Sequence, residues 1–321
     1  MYVIHARNVN DAAPMGITHL KLHGTCEDSR NGPVVESTTP VCTVYTHPKE
    51  RVLFSPIRDA NPFFHLMEAL WMLNGEKGAT WPTKFNSNMA KYVNGAGEYD
   101  GAYGDRWRNH FNVDQIAFVV ADLTARPTSR RAVIAMYDPS VDINPDSLDV
   151  PCNTHMYFDL RGDRLNMVVC CRSNDAVWGA YGANAVHMSM LQEVIAAKVG
   201  VDVGEYRQIS SNLHYYSEVE SVQPFIADPF FPDLYRHGLM TFPLVSAPSG
   251  WDTDLASFML HPDQLGPYAN IFFYYVARPM YLAWVDHKRG DRKSALSWAR
   301  QVEDEAWAHV AEAWLNRRYD K

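Results

Sequence analysis

Two short segments of the chain contain the side chains that a covalent reaction on a small anion would need. Cys152 follows a proline, and about one strand later residues 171–175 read Cys-Arg-Ser-Asn-Asp. Taken alone, Cys152 would more often be an unreactive buried cysteine. If the two segments form a hairpin, however, Arg172 lies beside Cys152 and stabilises its thiolate. The pattern therefore favours a nucleophilic cysteine next to an anion-binding site.

Further arginines are available to hold a phosphate group. Arg130 and Arg131 come directly before an apolar segment, so we expect them to lie close to a sheet rather than on a free helix face. Arg30 lies in a loop that also contains glycine and proline. Because a guanidinium group can bind two phosphate oxygens at once, we predict a phosphate site formed by Arg30, Arg130, Arg131, Arg172 and Ser173.

The elements that must position these residues follow from the apolar pattern and the turn residues. Strands are predicted at 17–24, 41–47 and 132–137, and a hairpin at 156–160 and 165–171. Helices are predicted from Asn61 to about Gly75 and at 113–124, 184–198, 268–286 and 292–317, with loops and short helices at 76–109. Strands interspersed with helices are typical of the α/β class. We expect one domain over residues 1–321, with a helical region from about residue 225 to 321.

Composition argues against several classes of protein. The chain is 47% hydrophobic and 21% charged, as globular proteins are, and its net charge of −8 argues against nonspecific binding to nucleic acid. The five cysteines are odd in number and form no C-x-x-C pair, so neither a disulfide framework nor a metal site is expected. No apolar run approaches the roughly 18 residues of a membrane span, and residues 1–8 do not read as a secretory signal. We therefore expect a protein of the reducing cytoplasm.

The order and spacing of these motifs resemble those of the thymidylate synthase superfamily over about residues 15–220. The matching motifs are Glu68-Ala69-Leu70-Trp71, Tyr103-Gly104 with Trp107, Ser129-Arg130-Arg131, Pro151-Cys152, Arg172-Ser173-Asn174-Asp175 with Gly179, Asn184, and Asn212-Leu213-His214-Tyr215-Tyr216. Synthases typically have histidine after the cysteine and aspartate at the start of the last motif, where this chain has Asn153 and Asn212. In these respects the chain looks closer to the bacteriophage pyrimidine-nucleotide hydroxymethylases, and a phage source would place it in the host cytoplasm.

The resemblance implies a thymidylate synthase-like α/β fold, with a mixed β-sheet and flanking helices, and a defined chemistry. The Cys152 thiolate would add to C6 of a pyrimidine nucleotide, and C5 would attack the methylene carbon of 5,10-methylenetetrahydrofolate. Expulsion of tetrahydrofolate would leave an exocyclic methylene group. A synthase reduces this group to methyl, whereas a hydroxymethylase adds water. The resemblance also implies a homodimer in which Arg130 and Arg131 reach the neighbouring subunit's phosphate site.

The resemblance assigns a role to each matching position. Glu68 would be the general acid and base acting through water, and its apolar neighbours favour a buried position. Asp175 and Trp81 would contact the folate, and His214 and Tyr216 would bind the sugar 3′-hydroxyl. The remaining assignments are catalysis for Cys152, Asn184, Asp175 and Tyr103, and substrate binding for Arg30, Arg130, Arg131, Arg172, Ser173, Asn174 and Gly179.

The sequence leaves two questions undecided, namely the last chemical step and the identity of the pyrimidine base. Residues 315–321 lack the apolar tail that closes synthase sites against water, which favours water capture. Asn184 can accept from N3–H and donate to O4 of uracil, whereas the phage cytosine-specific enzyme has aspartate there, so dUMP is favoured. The alternatives are a dCMP hydroxymethylase, a thymidylate synthase making dTMP, and a nucleotide-binding module without activity.

Overall fold

Two β-sheets form the framework of the computed structural model, which describes residues 1–143 and 146–320. The strands in these residues are β1 (Tyr2–Ala6), β2 (Gly24–Glu27), β3 (Val34–Ser37), β4 (Val41–Tyr45), β5 (Val133–Ala135), β6 (Asn153–Arg161), β7 (Arg164–Cys171), β8 (Asn174–Asp175), β9 (Asp202–Ser210) and β10 (Leu213–Tyr216). One sheet has the order β1-β4-β9-β7-β6-β5 and the other the order β2-β3-β10-β8. In the larger sheet β1 is parallel to β4 and β7 to β9, while the other pairs are antiparallel. The mixed sheet is as predicted.

Helices flank these sheets, which confirms the α/β class. The α-helices in the described residues are α1 (Val9–His23), α2 (Pro62–Leu73), α3 (Thr80–Phe85), α4 (Tyr103–Arg108), α5 (Gln115–Ala125), α6 (Pro139–Asp142), α7 (Asn184–Val199), α8 (Gln223–Ala227), α9 (Trp251–Leu260), α10 (Arg278–Arg289), α11 (Arg292–Ala299) and α12 (Glu305–Tyr319). Short 3₁₀ turns occupy Ser87–Tyr92, Glu220–Val222, Leu234–His237 and Pro248–Gly250, and π-helical turns occupy Ala176–Ala183 and Phe273–Ala277. Among the described residues, no helix combines the length and apolar character that a bilayer span requires.

The two faces of the larger sheet differ in burial. On one face Met156, Val169 and Gln208 lie side by side on β6, β7 and β9, and all three are buried. Helix α7 packs against β7 and β9. On the opposite face Tyr157 lies beside Val168, and Tyr157 is 45% exposed. One face of the sheet therefore belongs to the core, while the other stays partly open.

Helices α2 and α7 carry polar residues into the interior, and the sequence predicted the start of both. Asn61 caps α2 by accepting a hydrogen bond from the amide of Phe64 at 3.1 Å, and Pro62 is the first helical residue. Every residue of α2 is buried, including Glu68. Helix α7 begins at Asn184 and ends at Val199, and the residue that caps it, Gly200, has a φ of 85° in the left-handed region that favours glycine.

The strand predicted at 17–24 is wrong, because most of this segment belongs to helix α1. The helix buries Ala13, Ile17 and Leu20, which have the i, i+4, i+7 spacing of a helical face. Leu22, which made the segment look alternating, is 70% exposed. Strand β2 begins only at Gly24.

The helix predicted at 292–317 is also wrong in part, because the chain forms two helices there, α11 and α12. Asp304 accepts hydrogen bonds from the amides of Ala306 and Trp307 and so begins a new helix. The helix predicted at 268–286 is shifted, since its helical run begins at Phe273 and continues to Arg289.

The helical region after residue 225 packs against the rest of the chain. Trp284 and Trp314 contact Phe63 of α2, with ring centroids 5.7 and 5.6 Å apart. Buried apolar side chains from Ile4 to Leu315 form a single cluster. On this basis we propose that the chain folds as one domain.

Gly104 provides a test of how α4 packs on α2. A Cβ at this position would lie 2.3 Å from the carbonyl oxygen of Met72. Gly104→Ala is therefore expected to lower the free energy of unfolding by about 1–3 kcal/mol, as overpacking does, when measured by urea denaturation. Gly95→Ala is the control, because a Cβ at that position would have no atom within 4 Å. An equal loss in both variants would contradict the described packing.

Candidate active site

A cavity of about 1160 Å³ lies where the β6–β7 hairpin meets strands β3 and β10. Its wall includes residues from the loops at 29–31 and 147–150 as well as from these strands. Of the residues predicted for the site, the wall contains Arg30, Cys152, Arg172, Ser173, His214 and Tyr216. The nucleophile and most of the predicted phosphate and sugar contacts therefore face one cavity.

The hairpin places Arg172 directly beside Cys152, as predicted. The amide of Arg172 donates to the carbonyl of Cys152 at 2.8 Å. The Arg172 guanidinium donates to the carbonyl oxygens of Pro151 (2.9 Å) and Val150 (3.0 Å), and its Nη2 lies 3.8 Å from the Cys152 sulfur. Because these contacts fix the guanidinium on the loop that carries the thiol, the positive charge is held where a thiolate would form.

Opposing influences set the protonation of Cys152. Burial raises the pKa of the Cys152 thiol above its ordinary value, and Asp149 raises it further, while Arg172 and Arg30 lower it. Burial has the largest effect, since it disfavours the charged form. The residue at neutral pH is therefore a thiol that must lose its proton before it attacks.

Tyr103 holds the backbone of the nucleophile segment. Its hydroxyl oxygen accepts hydrogen bonds from the amides of Cys152 (3.1 Å) and Asn153 (3.0 Å). Burial raises the pKa of Tyr103 well above its ordinary value, so the hydroxyl stays protonated. Tyr103 is not among the residues that line the cavity, and its predicted catalytic role stays a prediction.

Asn184 lies behind Cys152 in a row of buried side-chain amides. Asn153 Nδ2 donates to Asn184 Oδ1 at 3.2 Å, and Asn184 Nδ2 donates to Asn174 Oδ1 at 3.1 Å. Gly179 passes close to this row, since a Cβ there would lie 2.9 Å from Asn174 Oδ1. The predicted residues Asn174, Gly179 and Asn184 are thus adjacent, although they are not on the cavity wall.

The two carboxylate oxygens of Asp175 differ in their hydrogen bonds. Its Oδ1 accepts from the amides of Val177 (2.8 Å) and Trp178, whereas its buried Oδ2 has no hydrogen-bond partner among the described residues. Burial raises the pKa of Asp175, and the nearby charges of His214 and Arg58 oppose that rise. Arg58 is anchored beside Asp175 by its Nε, which donates to the carbonyl of Val177 at 2.8 Å.

Glu68 is buried, as predicted, and it has a partner that the sequence did not reveal. Its Oε2 lies 3.2 Å from Nε2 of His187, and both side chains are less than a tenth exposed. The ring of His65 also lies near His187, with ring centroids 6.4 Å apart, and burial holds the pKa of His65 well below the ordinary value. A buried carboxylate next to an imidazole can hold and release a proton.

His214 and Tyr216 share strand β10 and both face the cavity. Nδ1 of His214 lies 2.7 Å from Oδ1 of Asn212, which orients the imidazole. The hydroxyl of Tyr216 accepts from Asn31 at 3.4 Å. These two side chains therefore offer ring nitrogen and hydroxyl groups to a ligand in the cavity.

Besides the residues described above, Arg130, Arg131 and Trp81 also do not line the cavity. Arg130 and Arg131 are exposed and lie just before the edge strand β5. Trp81 is half-buried in α3, donates to the carbonyl of Met67 at 2.9 Å and stacks on Tyr281. Their predicted contacts with phosphate and folate stay predictions.

The sequence did not point to Arg58, Asp149 or His187. A signal existed for His187, because it follows Asn184 by three residues in a predicted helix and so lies on the same face. Arg58 and Asp149 lie in segments without regular structure, where spacing gives no guide to position. Only the tertiary structure brings them to the site.

The pKa of Cys152 gives a test of this geometry. Asp149→Asn removes a charge that raises the pKa, so alkylation of Cys152 by iodoacetamide near pH 8 should become about three- to tenfold faster. Arg172→Met should have the opposite effect. Peptide mass spectrometry measures both rates, with the exposed Cys26 as internal reference. Unchanged rates in both variants would mean that these charges do not control the thiol.

Comparison with known proteins agrees with this arrangement. Residues 17–231 match the family model described as thymidylate synthase. The chain is 42% identical, over 99% of its length and 95% of the relative, to the deoxyuridylate hydroxymethyltransferase of Pseudomonas phage M6. It is 36% identical over 58% of its length to the protein of the same name from Bacillus phage SP01, 51% of which is covered. A putative thymidylate synthase of Methanosarcina mazei is 28% identical over 67% of this chain and 89% of the relative. The resemblance seen in the sequence is thereby confirmed: this chain belongs to the thymidylate synthase family.

Proposed function

We propose that this protein is a one-carbon transferase that hydroxymethylates C5 of dUMP. The observation that carries the proposal is the Cys152 thiol held 3.8 Å from the Arg172 guanidinium on the wall of a large cavity. A nucleophile beside a cation is what covalent addition to the ring of a phosphorylated substrate requires. Family membership and the names of the phage relatives support the same reaction.

In this proposal the Cys152 thiolate adds to C6 of the uracil ring, which makes C5 nucleophilic. Arg172 stabilises the sulfur anion and offsets the effect of burial on its pKa. Arg30, Arg172 and Ser173 line the same cavity and bind the phosphate. His214 and Tyr216 bind the sugar hydroxyl from the facing strand.

Asn184 is proposed to bind the base. Each of its amide atoms has one partner in the row of amides, so one N–H and one lone pair are left. Uracil offers a donor at N3 and an acceptor at O4, so it can form a hydrogen bond with each of these two remaining groups of Asn184. Cytosine needs the reversed arrangement, which makes dCMP the alternative substrate in the experiment below.

The cofactor proposed for the site is 5,10-methylenetetrahydrofolate. Oδ2 of Asp175 is buried and has no hydrogen-bond partner among the described residues, so it suits an N–H donor of a pterin ring. Trp81 is the second residue proposed to contact the folate. When bound, the folate supplies the one-carbon unit.

Glu68 and His187 are proposed to handle the proton of the water that completes the reaction. The buried carboxylate can take a proton from an ordered water molecule, and the His187 imidazole lies 3.2 Å from it. None of the described residues 305–320 lines the cavity. The names of the phage relatives favour a hydroxymethyl product over a methyl product.

We further propose a homodimer formed through the open face of the larger sheet. Tyr157, Val168, Cys170 and Ile209 lie on this face in adjacent strands and are exposed or half-buried. Apolar side chains in one row of a sheet usually pack against another surface. Because Arg131 precedes β5 at the edge of the same sheet, it and Arg130 can reach a second subunit placed on this face.

Product analysis tests the proposed reaction. Protein incubated with dUMP, dCMP and 5,10-methylenetetrahydrofolate should yield a nucleotide heavier than dUMP by one CH₂O unit, detected by mass spectrometry. Cys152→Ser should lower turnover at least about a thousandfold, as loss of a covalent nucleophile does. A gain of one CH₂ unit would identify a synthase, and a gain on dCMP alone would identify the cytosine-specific enzyme. Nucleotide binding without turnover of either nucleotide would indicate a binding module.

Mixed dimers test the proposed sharing of arginines. A hybrid of one Cys152→Ser subunit and one Arg130→Ala/Arg131→Ala subunit would contain one intact site, and should have about half the activity of the wild-type dimer. Such hybrids are isolated by two different affinity tags after coexpression. Each homodimeric variant is the control and should be nearly inactive. A fully active monomer would refute the sharing.

A further inference from the structure

Four buried polar side chains behind Cys152 form a row of hydrogen bonds that runs in one direction. Asn153 Nδ2 donates to Asn184 Oδ1 (3.2 Å), Asn184 Nδ2 donates to Asn174 Oδ1 (3.1 Å), and Asn174 Nδ2 donates to Ser210 Oγ (2.9 Å). The exposed fractions of the four residues are between 0 and 9%. We call these four residues the amide row. No water competes for such buried groups, so each orientation depends on that of its neighbour.

The ends of the amide row decide its direction. Ser210 can accept or donate through its hydroxyl, so that end tolerates either direction. At the other end, Oδ1 of the fully buried Asn153 has no hydrogen-bond partner among the described residues. If the row were reversed, the Asn153 NH₂ group would be left unpaired instead. A buried N–H without a partner costs more free energy than a buried carbonyl oxygen that accepts no hydrogen bond. Asn153 therefore favours the observed direction of the row.

The direction of the row determines what Asn184 offers to a ligand. As observed, its oxygen lies on the Asn153 side and its nitrogen on the Asn174 side. Reversal of the row would exchange these two atoms. The remaining N–H and lone pair would then change places, which converts the pattern that uracil needs into the one that cytosine needs.

We propose that Asn153 is a positioning residue that sets the choice between uracil and cytosine by orienting the amide of Asn184. Its own place is fixed, because its backbone amide donates to Tyr103 at 3.0 Å. The inference rests on the proposed function, since it takes Asn184 as the residue that contacts the base.

Asn153→Asp is the decisive variant. A carboxylate can only accept hydrogen bonds. It would therefore accept from Nδ2 of Asn184, which reverses the direction of the hydrogen bonds along the amide row. We expect the ratio of kcat/KM for dUMP to that for dCMP to fall at least about tenfold, and the ratio of dissociation constants measured by calorimetry to shift in the same sense. Because a buried aspartic acid could stay protonated and donate, the ratio is measured from about pH 6 to pH 9 and should fall as pH rises.

Two further variants complete the experiment. Asn153→Ala removes the side chain that orients Asn184 and favours neither direction of the amide row. The preference for dUMP over dCMP should therefore weaken and not invert. Asn166→Asp is the matched control, because Asn166 is also a buried asparagine but lies on β7, outside the amide row. Its oxygen accepts from the amide of Glu205 at 2.9 Å. It should cost stability and leave the base preference unchanged. If Asn153→Asp does not fold, Asn153→Ala carries the test.

The outcomes separate this inference from the proposed function. A wild-type protein that converts neither nucleotide would refute the proposed function. A wild-type protein that prefers dUMP, with the same preference in both Asn153 variants, would overturn the role of Asn153 alone. An equal change of preference in Asn166→Asp would also overturn it, because the effect would then come from lost stability.

Discussion

The contact between Arg172 and the segment that carries Cys152 is the interaction on which the site depends. Burial of the thiol disfavours its ionised form, yet the chemistry needs a thiolate. The Arg172 guanidinium opposes the effect of burial without cancelling it, because it donates to two carbonyl oxygens of the segment and lies 3.8 Å from the sulfur. The same hydrogen bonds that hold the loop also hold the charge. In the proposed reaction the β6–β7 hairpin thus supports the nucleophile as well as the sheet.

Several buried polar atoms around the site lack a hydrogen-bond partner within the described residues. They include Oδ1 of Asn153, Oδ2 of Asp175 and Nε2 of His187, which lies near Glu68 without forming a hydrogen bond. Each such group costs about 1–3 kcal/mol when it is left unsatisfied. Groups of this kind persist where a ligand or an ordered water completes them.

Much of the local structure could be predicted from the sequence. The start of α2 at Asn61 and Pro62, the end of α7 at Gly200 and the β6–β7 hairpin each depend on residues that are adjacent in the chain. The failures have a physical reason. Residues 17–24 alternate enough to suggest a strand, but burial of Ile17 and Leu20 on one face agrees with the helix that the chain forms there. In the last hundred residues a single capping residue, Asp304, divides what the apolar pattern presented as one helix.

The chemical groups of the site can be read from the amino-acid order alone: the cysteine after Pro151, the arginine one strand later, and the motifs that identify the family. Spacing along the chain suffices for these, because a hairpin joins segments that are close in sequence. Which polar groups meet in the interior depends on the packed fold. His187 reaches Glu68, and Arg58 reaches Asp175, over more than a hundred residues of chain. Such meetings depend on how helices and sheets pack, which no local pattern encodes.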